Sequence, residues 1–285
     1  MGTPPCNGGP WDALEAEMSL FPDEPLSENR EIHPRIYLGT AGWSYDDWDG
    51  VFYPKNLAPR DRLAHYARRF RSVEIDSTFY GTPSRKSVQH WYERSPDDFI
   101  FSAKFPRSIT HDARLLGCAD ETYRFIEVMT ELGEKLGPLL LQFPPSFSAS
   151  AFGDLESFFH GLPDGLMYVV EIRHPSWLTD EFAELLKTWG VGLCLTCDGA
   201  LNRFWRVTSR IVYIRWLGDH NEFDRFDEVQ RDRSEDLDWW VPRIHHLTDH
   251  GGVVFGYVNN HYAGHSPSTV ALLEQKLRQS MESNP

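Results

Sequence analysis

The chain has 285 residues, 41% of them hydrophobic, and its 18 Phe, 11 Tyr and 10 Trp suffice for one large core or two ordinary ones. A formal charge of −14 disfavours non-specific contact with a phosphate backbone. No apolar run approaches the roughly 20 residues of a membrane helix, and the first residues lack the basic start and apolar block of a signal peptide, so the expectation is a cytoplasmic protein with no membrane partner.

Residues 1–34 carry seven Asp or Glu against one Arg, among many Pro and Gly, and are expected to form a disordered acidic tail. From there the chain alternates. A strand is predicted at 36–41, followed by an aromatic loop with Trp43, Tyr45, Trp48, Phe52 and Tyr53. Leu63, Tyr66, Ala67 and Phe70 then recur at helical spacing behind Pro59. The strand 72–76 places Val73 and Ile75 on one face and Glu74 and Asp76 on the other. Two carboxylates at the end of an apolar strand are costly unless that face meets water, a cation or a ligand.

The plan repeats. Ser84 is a predicted N-cap for a helix with Val88, Trp91 and Tyr92, and strand 99–104 turns Ser102 and Lys104 to one face. A helix over 121–132 leads to strand 138–142, ending in Gln142. Helix 154–160 precedes strand 167–173, where Glu171 and Arg173 share a face. Helix 180–189, strand 191–197, strand 211–215 with Tyr213 and Arg215 opposite Val212 and Ile214, helix 236–247 and strand 253–259 follow. Ser266-Pro267 opens a last helix.

About eight strand–helix alternations predict an α/β chain with parallel strands, most simply a TIM-type (β/α)8 barrel, regular or an irregular variant, over residues 35–285. A doubly wound open sheet is the alternative, but no Gly-rich phosphate loop follows the first strand. In a barrel, the inward residues at the C-terminal ends would be Glu74, Asp76, Lys104, Gln142, Glu171, Arg173, Asp198 and Arg215. Six polar-tipped strands look like a functional mouth. Cys194-Leu195-Thr196-Cys197 has redox or metal spacing, yet positions i and i+3 of a strand face opposite ways, so both are read as ordinary buried cysteines.

The motifs also resemble a known family. Gly39-Thr40-Ala41-Gly42-Trp43-Ser44-Tyr45, Phe52-Tyr53-Pro54, Val73-Glu74-Ile75-Asp76-Ser77-Thr78-Phe79-Tyr80 and Phe101-Ser102-Ala103-Lys104 are similar to segments of the DUF72 (YecE-like) family of uncharacterised TIM-barrel proteins. So are Thr110-His111, Leu141-Gln142-Phe143-Pro144-Pro145, Glu171-Ile172-Arg173-His174 with Trp177, Tyr213-Ile214-Arg215 and Asn259-Asn260. The resemblance departs at Asp76, where the family usually has Asn, and at Trp216-Leu217, where it usually has an aromatic–His pair. It implies the barrel and no particular reaction. Its likeness in shape to endonuclease IV and xylose isomerase barrels is an analogy of fold.

The mouth residues suggest an anionic small molecule bearing phosphate or carboxylate. Glu74 or Glu171 would serve as base, Lys104 or His111 as acid or oxyanion stabiliser, and Arg173 and Arg215 as anion clamps. Arg215 is expected to matter to ligand binding more than to folding. Trp43, Phe79, Tyr80 and Trp177 offer a stacking wall, and Asn259 and Asn260 with Gly218, Gly264 and the Ser266 helix start offer a phosphate loop. No metal is assigned and the cofactor is left unknown.

Other readings remain open: mouth charges that only neutralise one another, a non-catalytic sensor or scaffold, and a nucleic-acid partner. The last is disfavoured by net charge but kept by residues 55–115, where 12 Lys and Arg face 7 Asp and Glu. Arg62, Arg68 and Arg69 of that stretch are expected on a solvated helix face.

Overall fold

The computed structural model describes residues 32–196 and 206–283. The expected acidic tail, apart from its last three residues, lies outside them, as do Cys197 and Asp198. Among the described residues, eight strands and seven α-helices follow in chain order: β1 Ile36–Thr40, α1 Pro59–Arg69, β2 Ser72–Ile75, α2 Arg85–Arg94, β3 Ile100–Lys104, α3 Ala119–Met129, β4 Leu136–Gln142 and α4 Phe152–His160. β5 Tyr168–Glu171, α5 Asp180–Thr188, β6 Gly192–Thr196, β7 Ile211–Trp216, α6 Ser234–Asp249, β8 Val253–Val258 and α7 Ser266–Ser283 complete it. Ser84 accepts from the Ser87 N–H and Thr179 from the Phe182 N–H, so α2 and α5 begin at hydroxyl caps.

Every paired strand is parallel, in the order β1-β8-β7-β6-β5-β4-β3-β2. This is a (β/α)8 barrel, nearly closed. The ring is irregular at β1 and β2, where the ladder thins to one bridge between Ala41 and Glu74, with Gly42 N–H donating to the Glu74 carbonyl at 2.8 Å. Below that bridge the Tyr66 hydroxyl enters from α1. It accepts from Thr40 N–H at 2.8 Å and donates to the Ser72 carbonyl at 3.1 Å, so neither buried backbone group is left unmatched. Gly39 permits this approach, since a Cβ there would stand 1.9 Å from the Ser72 oxygen.

Alternation along the strands divides the core in two. Val73, Phe101, Leu139, Leu141, Val170, Val212 and Ile214 belong to the large outer cluster packed on the helices. Leu140, Val169, Cys194, Tyr213, Phe255 and Tyr257 fill the barrel itself, with Tyr37, Ile100, Met167, Ile211 and Val253 against them. Cys194 is therefore a buried interior thiol. Trp216 turns outward onto Trp240 of α6 at 5.5 Å, a packing role.

Arg62 departs from its expected place. It is 3% exposed and pairs with Asp46 at 2.9 Å and Asp49 at 2.9 Å, fastening the loop after β1 to α1. No helix of the described residues is long and apolar enough to cross a membrane.

Candidate functional site

Above the apolar filling, the C-terminal ends of the strands turn charged side chains inward. Arg215 of β7 lies at the centre and is 3% exposed. Its Nη1 donates to Glu171 Oε2 of β5 at 2.6 Å, and its Nη2 donates to Glu74 Oε1 of β2 at 2.7 Å. One guanidinium thus spans the barrel between two carboxylates that are 1% and 0% exposed. Arg173 Nε donates to the other oxygen of Glu171 at 2.9 Å. The other oxygen of Glu74 takes a 2.6 Å contact from the Tyr213 hydroxyl. Asp76 Oδ1, buried without a hydrogen bond, stands 3.9 Å from Arg215 Nη2 and 3.7 Å from Lys104 Nζ.

The two glutamates have opposite titration behaviour. Burial pushes Glu171 upward, but Arg215, Arg173 and Lys104 together pull it below the usual range, to about 2. Glu74 is raised: burial dominates and Asp76 adds to it, against Arg215, Lys104 and the Tyr213 hydrogen bond. The difference follows from neighbours, since Glu171 touches two guanidinium groups and Glu74 touches one with a carboxylate close by. Arg215 is held firmly as a cation by Glu74 and Glu171 in spite of its burial.

Around this centre the rim is cationic. The Lys104 ammonium lies 4.7 Å over the Phe79 ring and makes no hydrogen bond among the described residues. The Nη atoms of Arg173, a side chain 30% exposed, likewise have no partner among them. His111 packs its ring on Phe79 at 5.0 Å and takes a 2.9 Å contact from Thr110. Burial lowers its pKa, and the positive charges of Arg107, Lys104 and Arg173 lower it further. Tyr80 stands 87% exposed beside Phe79. Gln142 is buried at the end of β4, next to Glu171 on β5. Tyr45, from the loop after β1, donates to the Ala41 carbonyl at 2.7 Å. Burial raises its pKa, and the charges of Asp76 and Glu74 raise it more. Tyr45 and Tyr213 are the site residues missing from the expected set. Tyr213 carried the right alternation; Tyr45 had only its place in an aromatic loop.

Four expected contacts go elsewhere. Trp177 is fully buried: its indole N–H donates to the Phe147 carbonyl at 2.8 Å and its ring stacks on Phe147 and Phe152, so it is core. Trp43 meets Trp91 of α2 and Phe101 on the outer face of β3, in the strand–helix layer. Asn260 caps α7, its Oδ1 accepting from Ser266 N–H at 3.0 Å and from the Ser266 hydroxyl at 2.6 Å. Asn259 Oδ1 accepts from His261 N–H at 2.9 Å.

The carboxamide oxygens of the expected phosphate loop are thereby taken up by the protein itself, while Asn260 Nδ2 is buried without a partner among the described residues. Gly264 N–H donates to the Asn260 carbonyl, and a Cβ at Gly218 would stand 1.7 Å from the His261 oxygen. Arg215, expected as an anion clamp, directs both Nη groups at carboxylates of the barrel itself, while its Nε is buried without a partner among the described residues. Among the described residues, no three His, Cys, Asp or Glu side chains gather as a metal ion would require.

With the barrel and its polar end in place, comparison with known proteins settles the family. The family model described as "Protein of unknown function DUF72" matches residues 37–285. The chain belongs to the DUF72 family. It is 35% identical over 142 residues to the UPF0759 protein YecE of Escherichia coli, covering 50% of each chain. With the UPF0759 protein YunF of Bacillus subtilis it shares 29% identity over 157 residues, 52% of this chain and 54% of that one. The chain thus spans about half the length of the curated relatives it matches.

Among solved structures, a DUF72 family protein of Thermotoga maritima superposes with a TM-score of 0.71 at 28% identity, covering 87% of this chain and 99% of that one. A DUF72 family protein of Enterococcus faecalis gives a TM-score of 0.70 at 21% identity over 86% and 95% of the two chains, a likeness of fold alone.

Proposed function

We propose that the barrel mouth of this DUF72 protein binds an anionic small molecule bearing a phosphate or carboxylate group, with Lys104 and the outer nitrogens of Arg173 as its contacts. The observation carrying this reading is a division of labour among cations. Arg215 is buried and directs both Nη groups at Glu74 and Glu171, whereas the Lys104 ammonium and the Arg173 Nη atoms make no hydrogen bond among the described residues and share the more open rim. Donors left unmatched in a partly dry cleft favour an oxyanion. His111 feels the same positive field, and in its neutral form it offers a ring nitrogen for proton transfer. Glu171, held ionised below Arg173, orients that guanidinium.

Calorimetry against a panel of phosphorylated and carboxylated metabolites, and against single-stranded DNA at two salt concentrations, tests the proposal. A metabolite should bind, and Lys104→Met and Arg173→Met should each weaken it by about 1.5–3 kcal/mol, with a lower melting temperature in Arg173→Met because that variant also gives up the bond to Glu171. Binding confined to DNA with a steep salt dependence, or a metabolite whose affinity neither substitution alters, would overturn it.

A further inference from the structure

Below Glu74, four oxygens run in a line into the barrel. Glu74 Oε2 is 2.6 Å from the Tyr213 hydroxyl, that hydroxyl is 2.8 Å from Ser102 Oγ, and Ser102 Oγ is 2.6 Å from the Pro138 carbonyl oxygen. All three distances are those of hydrogen bonds, so three hydrogens are needed. A hydroxyl has one hydrogen, a carbonyl none, and Tyr213 and Ser102 together supply two. The second hydroxyl pair brings no surplus. Tyr257 and Ser72 lie 2.6 Å apart, and Ser72 donates to the Ile100 carbonyl at 2.9 Å, which occupies both of their hydrogens.

The missing hydrogen has one chemically reasonable source. We propose that Glu74 carries a proton, donated from Oε2 to Tyr213, and that this proton leaves the mouth with one uncompensated positive charge suited to an anion.

The order of donation closes without a gap. Glu74 donates to Tyr213, Tyr213 to Ser102, and Ser102 to the Pro138 carbonyl. Glu74 Oε1, the carbonyl oxygen of the acid, accepts from Arg215 Nη2 at 2.7 Å. Were Glu74 ionised, Tyr213 would donate to it, and the single Ser102 hydrogen would leave either the 2.8 Å contact to Tyr213 or the 2.6 Å contact to the Pro138 carbonyl with no hydrogen between its oxygens.

The titratable groups around Glu74 come from most of the barrel. Asp76 after β2, Lys104 of β3, and Tyr213 and Arg215 of β7 act on it directly, and Cys194 of β6, Tyr257 of β8 and Tyr45 after β1 feel its charge in turn. Complete burial and the adjoining Asp76 charge act in the same direction as the hydrogen count. With Glu74 neutral, the described mouth sets Glu171 and Asp76 against Arg215, Arg173 and Lys104, two carboxylates against three cations.

This deepens the anion reading and depends on it for its purpose, but the proton can be observed without any ligand. Infrared spectroscopy at neutral pH should show the carbonyl stretch of a protonated carboxyl group that vanishes in Glu74→Gln, a difference that separates Glu74 from Glu274, a buried carboxyl that burial also pushes upward. Tyr213→Phe, which removes the acceptor of the proton and keeps Glu74, should shift that band in frequency. Should Glu74→Gln fail to fold, this shift and the loss of the band at high pH still decide the question.

Sulfate, whose charge is constant over the working range, probes the consequence by calorimetry. Wild-type affinity should fall by about tenfold per pH unit once Glu74 deprotonates, whereas Glu74→Gln, a mimic of the neutral acid, should bind sulfate without that fall. A carbonyl band absent from the wild type, or unchanged in both variants, overturns the proton. Sulfate binding with the same pH response in Glu74→Gln overturns its role in the charge of the mouth. A band that behaves as expected with no sulfate binding upholds the proton and removes the anion reading.

Discussion

Replacing Arg215 by methionine, a side chain of similar length without charge, asks whether this residue belongs to the ligand or to the fold. The structure gives a magnitude by two routes. Removing one partner of a buried ion pair costs roughly 3–5 kcal/mol, because the remaining charge is stranded. Independently, the pull that takes the Glu171 carboxyl from its ordinary 4.5 to about 2 corresponds to roughly 3 kcal/mol, with Arg215 the strongest of the three cations behind it. Arg173 still holds one oxygen of Glu171 from the rim, so the lower end, about 3 kcal/mol, is expected at pH 7.

The sign with pH follows. A carboxylate whose folded pKa is depressed stabilises the fold above its unfolded pKa and loses that contribution as pH falls towards the folded value. The gap between wild type and Arg215→Met should therefore narrow from about pH 5 towards pH 2. Arg215→Lys should recover only part of the loss, since one ammonium cannot reach Glu171 and Glu74 at 2.6 and 2.7 Å on opposite sides. Urea denaturation at several pH values measures this through the midpoint and slope. A loss below about 1 kcal/mol at pH 7, or one that does not change with pH, would refute the ion network as a structural element. It would restore the expectation, drawn from sequence, that Arg215 serves the ligand first.

Trp177→Ala should cost about 3–5 kcal/mol of stability in the same assay and leave metabolite affinity unchanged in whatever fraction stays folded, because the ring is wholly enclosed by Phe147, Phe152 and Phe182. Tyr66→Phe should cost about 1–3 kcal/mol by stripping the seam of its hydroxyl, and hydrogen exchange should quicken first at the Thr40 amide. A seam that exchanges no faster than in the wild type would mean that β1 and β2 close directly once the hydroxyl is gone.

Much of the barrel was legible because a strand has a period of two. Val73 against Glu74, and Val212 and Ile214 against Tyr213 and Arg215, fix which side faces the axis before any partner is known. The partners were not legible. Glu74 and Tyr213 lie 139 residues apart, and only the closing of the ring from β8 to β1 brings them together. Loop aromatics carry no such period, which is why Trp43 and Trp177 could be assigned to the mouth when one belongs to the strand–helix layer and the other to the core. For Asn260 a signal was present. A Ser-Pro helix start needs its first N–H groups satisfied, and an asparagine six residues upstream is a ready acceptor as well as a candidate ligand contact.

The departure of this chain from the DUF72 pattern at position 76 bears on the same charge balance. An asparagine there would remove a negative charge beside Lys104 and also remove one of the influences that favour a neutral Glu74. If the buried glutamate then ionised, the mouth would again hold two carboxylates against three cations, with the second negative charge on Glu74 in the interior instead of on Asp76 at the rim. Asp76 is the more exposed of the two, with 29% of its side chain open against none for Glu74, and a charge is held at lower cost where water reaches it. On this argument aspartate at 76 and the proton on Glu74 compensate for each other. The hydroxyl line through Tyr213 and Ser102 is what allows the interior to accept the neutral acid without leaving a buried oxygen unmatched.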